Sequence, residues 1–396
     1  MIRHLLRLFW SRKNANILLL LEIFISFIVL FTVCMVAIVF IGRYSHPLGF
    51  KYDNVYSVDL DMLRGMDETE DSMQMDFEIC VRMIHELEAM TEIIAVASVF
   101  PNPYGMTTST EELEYADQTL GGRVCTASDR AAEVLDIEIL QGRWFDESDD
   151  ALDIEPIVIN KLMAEQLIPD EDPVGKKVGE NNEYRVVGVI EDFRYGGELT
   201  KVKPFYFKRQ SFQKSGDERL VHLALKVQPG TTAEFEERAL SLIRDIEPEW
   251  SLGIKQMSLM RATNLKLTMS PIILGFLVAG FLMIMVMLGM IGVFWQSITS
   301  RTNEIGLRRA LGCPRSEIYG QLLMEIILLT TVGCGLAAIL LLQLPILGIF
   351  ASISWINVII SLAIAALFMF ALAVISGLFP AWMASQVHPA EALHYE

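Results

Sequence analysis

Thr299-Ser-Arg-Thr-Asn-Glu-Ile-Gly-Leu-Arg-Arg-Ala-Leu-Gly-Cys-Pro-Arg-Ser-Glu317 is a short charged stretch set between two long apolar runs, Pro271–Ile298 and Ile318–Ile349. Glu304 and Arg308 are four apart, in the order that favours a helical ion pair. Arg308 and Arg309 fall near the C-terminal end of the segment, where cations suit the helix dipole. Gly312 can adopt the left-handed conformation that ends a helix, and Pro314 forbids its continuation. The stretch is expected to form a self-terminating helix with an apolar face of Ile305, Leu307 and Leu311. An ordinary loop needs only charge. A capped, stopped and amphipathic helix fused to two spanning segments suits a lever that a soluble partner pushes.

Working outward, two further apolar runs follow the same logic, Ile17–Ile41 and Ile353–Phe379. All four exceed the ~20 residues that cross a hydrocarbon core of ~30 Å. Their weight explains an apolar fraction of 52% and a mean hydropathy of +0.39, too high for an ordinary soluble enzyme. The first run is longer than the usual signal-peptide core of about 7–15 residues, and no small-x-small site follows at Gly42-Arg43-Tyr44. An uncleaved anchor is expected. Arg3, Arg7, Arg12 and Lys13 precede the first run, and Arg301, Arg308, Arg309 and Arg315 lie between the second and third. Excess Lys/Arg in short loops marks the cytoplasmic face, which puts both termini inside and the long segment after the first span outside.

The resulting plan is a cytoplasmic amphipathic elbow at 1–13, spans at 14–43, 269–298, 318–345 and 353–379, the coupling segment at 299–317, an external domain at 44–268, and a cytoplasmic tail at 380–396. The elbow places Ile2, Leu5, Leu6 and Phe9 on one helical face. Pro380 is expected to break or kink the last span where it leaves the membrane, with Trp382 at the interface. Met257–Leu267 is a candidate helical extension of the second span, and the first span is long enough to project as a stalk.

The external segment holds 43 Asp and Glu against 23 Lys and Arg, a net charge of −20. Nucleic acid is disfavoured as a partner, since an acidic surface repels phosphate. Plain solubility and attraction of cationic substrates both fit that charge. Val55–Leu60 and Glu92–Phe100 read as strands around a helix near Met75–Met90. The pattern recurs as Leu220–Val227, Thr231–Ile246 and Ser251–Met257, and two such units point to a split ferredoxin-like α+β layer. An insertion at about 101–215 separates them. It opens with the turn-rich Pro101–Thr110 and carries short helices near Ser128–Leu135 and Lys161–Ile168 and a strand at Tyr184–Ile190. Ser128 and Asn160 are candidate N-caps. Cys80 and Cys125 are the two external cysteines and could pair in an oxidising compartment.

Catalytic patterns are missing from these 396 residues: G-x-x-x-x-G-K-[ST], G-x-S-x-G, H-E-x-x-H and C-x-x-C do not occur, so no catalytic residue, cofactor or metal site is expected. Glu22 and Glu325 lie in or beside spans, where a carboxylate must face the interior or a partner. Glu325 could pair with a basic residue of the coupling segment.

Arg301-Thr-Asn-Glu-Ile-Gly-Leu-Arg-Arg-Ala-Leu-Gly312, followed by Glu325, resembles the coupling-helix signature of the MacB/FtsX-type permeases of ABC transporters, a family that includes the LolC/LolE subunits. Gly377-Leu-Phe-Pro-Ala381 and Pro389-Ala-Glu-Ala-Leu393 are similar to its closing motif. Leu140-Gln-Gly-Arg-Trp-Phe145, Ile157-Val-Ile-Asn160, Asp172-Pro-Val-Gly-Lys176 and Tyr184-Arg-Val-Val-Gly-Val-Ile-Glu-Asp-Phe193 resemble its periplasmic core domain. Cys313-Pro314 departs from the small or polar residues common there, and the acidic stretch Asp61–Met75 does not align with the family's pattern. The resemblance implies a bacterial inner-membrane permease, paired with a second copy or a related permease and with two cytoplasmic ABC ATPase subunits. Arg301, Glu304, Ile305, Arg308 and Arg309 would contact the ATPase, with Gly306 and Gly312 setting backbone fit. ATP-driven motion would pass through the stalks to the external domain, for export or extraction of an envelope substrate. A periplasmic adaptor could join such an assembly. The alternative is a non-transporting regulator whose external domain controls a cell-wall hydrolase or reports an envelope signal.

Overall fold

The computed structural model describes residues 13–61, 70–105, 107–116, 118–211, 222–248, 250–299, 307–308, 311–348 and 353–385. The elbow at 1–12 and the tail from 386 lie outside them. The chain divides into two compact units, one of residues 1–42 with 269–396 and one of residues 43–268.

Among the described residues four helices are long and apolar enough to cross a membrane, and most of their length lies in the first unit. They are α1 (Lys13–Tyr44), α6 (Met257–Thr299), α7 (Arg315–Ile346) and α8 (Trp355–Ser385). In lipid no water satisfies a backbone amide, so a run of Leu, Ile, Phe and Ala closes its own hydrogen bonds as helix. Helix α1 is the centre of packing: Leu19, Ile23, Phe27, Leu30 and Phe31 are buried with Val286 and Met290 of α6, Ile326 and Ala337 of α7 and Ala365 and Met369 of α8. Glycine permits close approach at two points. A Cβ at Gly333 would lie 2.7 Å from Ile23 Cγ2, and one at Gly377 would run into Ile326. The expected break at Pro380 does not occur. Helix α8 continues across it to Ser385, because a proline removes one backbone bond and spanning helices re-satisfy the freed carbonyl locally.

The second unit is built on one sheet of eleven strands. Four of them, β1 (Val55–Asp61), β2 (Ile93–Phe100), β10 (His222–Val227) and β11 (Ser251–Gln256), run in the order β11-β1-β10-β2. All three pairings are antiparallel, with Val58 opposite both Leu223 and Ile254. That is the ferredoxin-like order. Helices α2 (Glu70–Glu88) and α5 (Ala233–Ile246) cover one face, burying Cys80, Met83, Leu87, Phe235 and Ile243 against Val58, Val96 and Leu225.

Between β2 and β10 the insertion extends the same sheet. Its strands are β3 (Ser109–Tyr115), β4 (Gln118–Ala127), β5 (Ile139–Gly142), β6 (Glu155–Asn160), β7 (Lys177–Val178), β8 (Tyr184–Ile190) and β9 (Phe205–Arg209), with short helices α3 (Ala131–Leu135) and α4 (Lys161–Leu167). The backbone join to the ferredoxin layer is narrow, Val99 opposite Ala127 and Phe100 opposite Thr126. Only β8 of these strands was expected. The acidic β3 buries Leu113 alone, and β6 is a short continuous apolar run, so neither shows clean alternation.

Asn160 caps α4 as expected, accepting from Met163 N–H at 3.0 Å. Ser128 does not cap α3: Arg130 holds that position, and the Ser128 hydroxyl accepts instead from Ser98 N–H at 3.0 Å. Tertiary structure gives this hydroxyl a buried strand amide to satisfy. The open possibility of a Cys80–Cys125 disulfide is not realised, since the two thiols are buried in different clusters.

Candidate functional site

The turn between α6 and α7 ends as its residues dictate. Gly312 has φ of 91°. Cys313 N–H donates to Arg308 O at 3.0 Å, and Leu311 N–H donates to Leu307 O at 3.0 Å. This is a Schellman ending with glycine at C′, and Pro314 follows as the N-cap of α7. Of the residues expected to dock a partner, Arg308 and Gly312 are described; Arg301, Glu304, Ile305, Gly306 and Arg309 lie outside the described residues. Arg308 Nη1 donates to Gln321 Oε1 at 3.0 Å, one turn of α7 before Glu325. Leu307 and Leu311 are 53% and 81% exposed, so the described helices leave this part of the apolar face uncovered.

Glu22 is half-buried in α1 and faces α6, where a Cβ at Gly289 would come within 2.6 Å of its Oε2. The missing side chain at 289 makes room for the carboxylate. Sequence spacing gave no sign of this partner.

Among the described residues, a dense polar cluster lies in the second unit, at the loop joining β8 to β9. Loops normally run over the surface because buried backbone must find partners. This one is buried at Phe193, Arg194, Tyr195, Glu198 and Leu199. Arg194 explains how. Its Nη1 donates to Arg43 O at 2.8 Å and His46 O at 3.0 Å, and its Nη2 donates to Thr200 O at 2.7 Å and to Glu198 O. The first acceptor is a last-turn carbonyl of α1, which has no partner within its own helix. Five fixed N–H donors let one guanidinium serve several carbonyls at once. Arg43 reciprocates, its Nη1 donating to Leu199 O at 3.1 Å.

Glu198 extends the cluster to the other external helix segment. Its carboxylate pairs with Arg261 of α6, the side chains being 7% and 23% exposed. Arg261 also stands over the Tyr52 ring, 4.7 Å from the centroid. Gly197, at φ of 90°, brings the loop against the Tyr104 ring. Burial pushes the Arg194 guanidinium below its ordinary value, and the Glu198 charge opposes that shift. Burial, then the same negative charge, raises the Tyr104 hydroxyl. An arginine stays protonated through such a shift, so the cluster is a fixed charged network. It holds and positions.

Two family models match. The MacB-like periplasmic core domain covers residues 23–241, and the FtsX-like permease C-terminal domain covers residues 276–389. Among relatives, the macrolide export ATP-binding/permease protein MacB of Neisseria gonorrhoeae is 26% identical over 252 residues, 61% of this chain and 38% of that protein. The ABC transporter permease YknZ of Bacillus subtilis is 27% identical over 302 residues, 73% of this chain and 74% of its own. This chain thus spans well under half the length of the MacB relative. The crystal structure of the periplasmic region of MacB from Actinobacillus actinomycetemcomitans overlays at a TM-score of 0.40 and 16% identity, covering 54% of this chain and 94% of that one. The extracellular domain of YknZ overlays at 0.34 and 15%, covering 50% and 99%. Matched through its external domain and again through its last three apolar helices, the chain belongs to the MacB/FtsX-type family of ABC transporter permeases.

Proposed function

We propose that this protein is the membrane subunit of an ABC transporter that works by mechanotransmission. The observation that carries the reading is α6, a single helix of 43 residues. At 1.5 Å per residue it is about 65 Å long, roughly twice a hydrocarbon core. A helix that enters the membrane and emerges without a break carries displacement from one end to the other. Helix α1, at 32 residues, overshoots the core in the same way, at about 48 Å.

The basic turn around Arg308 faces the cytoplasm in this reading, with both termini on that side and residues 44–268 in the periplasm of a bacterial inner membrane. Two ABC ATPase subunits dock there, one on each of two permease copies or on this chain and a related one. ATP hydrolysis belongs to those subunits, and this chain contributes no catalytic residue. The exposed Leu307 and Leu311 and the glycine stop beside them support docking of a separate protein. Export or extraction of an envelope substrate is the outcome of the relayed motion.

The test is the double substitution Arg308→Glu with Arg309→Glu in the full chain. Membrane insertion should persist while co-purification with the ATPase and stimulation of its turnover are lost. Undiminished ATPase binding would overturn the assignment.

A further inference from the structure

Covalent connectivity leads both external helix segments into the ferredoxin-like layer and neither into the insertion. Helix α6 follows β11 directly, Gln256 to Met257, and α1 leads through residues 45–54 to β1. The insertion joins that layer by two backbone pairings at the ends of β2 and β4. A displacement of α6 would reach the insertion indirectly, through that seam, through the core that Ala95, Ala97 and Ala224 share with Ala131, Val134 and Leu135, and through the Arg130–Glu88 ion pair.

The β8–β9 loop offers a direct route, because it touches the helices themselves. It belongs to the insertion, since both flanking strands pair with β6 inside it. It reaches the helices at two places, Arg194 on the α1 carbonyl and Glu198 on the Arg261 guanidinium. Both residues are more than nine-tenths buried. Charges so shielded from water interact far more strongly than surface pairs and are screened little by salt.

We propose that the Glu198–Arg261 pair, positioned by Arg194, is the direct contact that ties the inserted subdomain to α6 and fixes the distance between them. The proposal rests on the mechanotransmission reading for its purpose, although the contact can be tested without nucleotide. Glu198 is a positioning residue: it touches α6 through one side chain, while its backbone carbonyl is held by the same arginine that holds α1. One loop thus gathers both helices.

The experiment uses the full chain in nanodiscs, with Cys313→Ser and spin labels at exposed positions. One pair, Leu259→Cys with Glu180→Cys, spans α6 and the insertion; the control, Leu259→Cys with Glu237→Cys, spans α6 and the ferredoxin layer. We expect narrow distance distributions for both pairs. Glu198→Gln should broaden the first about twofold and leave the control narrow. Arg261→Gln should do the same, Arg261→Lys should restore the narrow distribution, and the double variant Glu198→Gln with Arg261→Gln should be no broader than either alone. Unchanged widths in both single variants would overturn the proposal. So would equal broadening of both pairs, because the contact would then hold the whole domain and not the insertion in particular. Trapping the ATPase-bound complex with ATP and vanadate adds a separate reading. If nothing moves in the wild type, mechanotransmission fails, while the widths measured without nucleotide still decide the fate of the contact.

Discussion

Two helix ends in this molecule solve one problem by opposite means. Near Gly312 the Arg308 carbonyl is satisfied within six residues, by the amide of Cys313 beyond a left-handed glycine. At the C-terminal end of α1 the Arg43 carbonyl takes the His46 amide at 3.2 Å and, at 2.8 Å, the guanidinium of Arg194, 151 residues further along the chain. A locally closed end can move as a unit without losing its hydrogen bonds. An end closed by a distant side chain cannot move without the element that supplies it. The difference suits a lever at one end and a fixed attachment at the other.

The most severe way to break the contrast is Arg194→Leu. It removes the donor from the buried Glu198 carbonyl and from the part-buried Arg43, His46 and Thr200 carbonyls, of which Arg43 keeps the His46 amide at 3.2 Å; an unserved buried acceptor costs about 1–3 kcal/mol, less where water reaches it. A total near 3–5 kcal/mol is expected, as for one half of a buried ion pair removed. Hydrogen exchange of the full chain in detergent should show collapsed protection through β8 and β9. Protection equal to wild type would mean that water serves those carbonyls as well as the guanidinium does.

Gly49→Ala attacks the same attachment from the other side. Gly49 sits at φ of 82°, and an added Cβ would run into the Asp192 carbonyl, a backbone atom that cannot swing away. Left-handed strain of about 1 kcal/mol adds to overpacking of about 1–3 kcal/mol, for a loss near 2–4 kcal/mol in the external unit. A denaturant midpoint unmoved from wild type would show that the loop yields freely, contrary to a fixed attachment.

Gly312→Ala tests the local end and should cost only about 1 kcal/mol. The external unit has no share in that bond. Its exchange protection should stay at the wild-type level while amides of residues 311–313 exchange faster. Loss of protection in β8 or β9 would erase the distinction drawn between the two ends.

The same contrast explains what the sequence made legible. The Gly312 stop, the Asn160 cap and the repeated strand–helix–strand of the ferredoxin layer are written in residues close together in the chain, and each could be anticipated. Arg194 is surrounded by Glu191, Asp192 and Glu198 in the sequence, where it reads as one charge of an exposed acidic loop. Nothing local shows that its guanidinium meets a helix end from the far side of the insertion. Gly289 is equally silent, since only the fold puts Glu22 against it. The missed strands fail for a related reason. Strand β4 lies beside β9 and β6 beside β8 in parallel pairs, whose registers are set by partners distant in sequence.

Separation in sequence is nevertheless not enough to make a contact matter, and the pair of Asp59 and His222 isolates that point. They are 163 residues apart with His222 Nδ1 2.9 Å from Asp59 Oδ1, but their side chains are 34% and 26% exposed. The hydrogen bond with His222, then its charge and that of Lys255, hold the Asp59 carboxyl below its ordinary value against a burial effect of opposite sign. A carboxyl lowered in the folded state stabilises the fold above its unfolded value of about 3.9, and that contribution vanishes as pH falls through the folded value. The wild type should therefore lose slightly more stability than Asp59→Asn between about pH 5 and pH 2, with denaturant midpoints converging at the acid end. Solvent screening keeps the gap under about 1 kcal/mol, well below the effect of Arg194→Leu. A gap as large as that of the buried arginine would shift the weight of the argument from burial to sequence separation; parallel pH profiles would show that the pair contributes nothing.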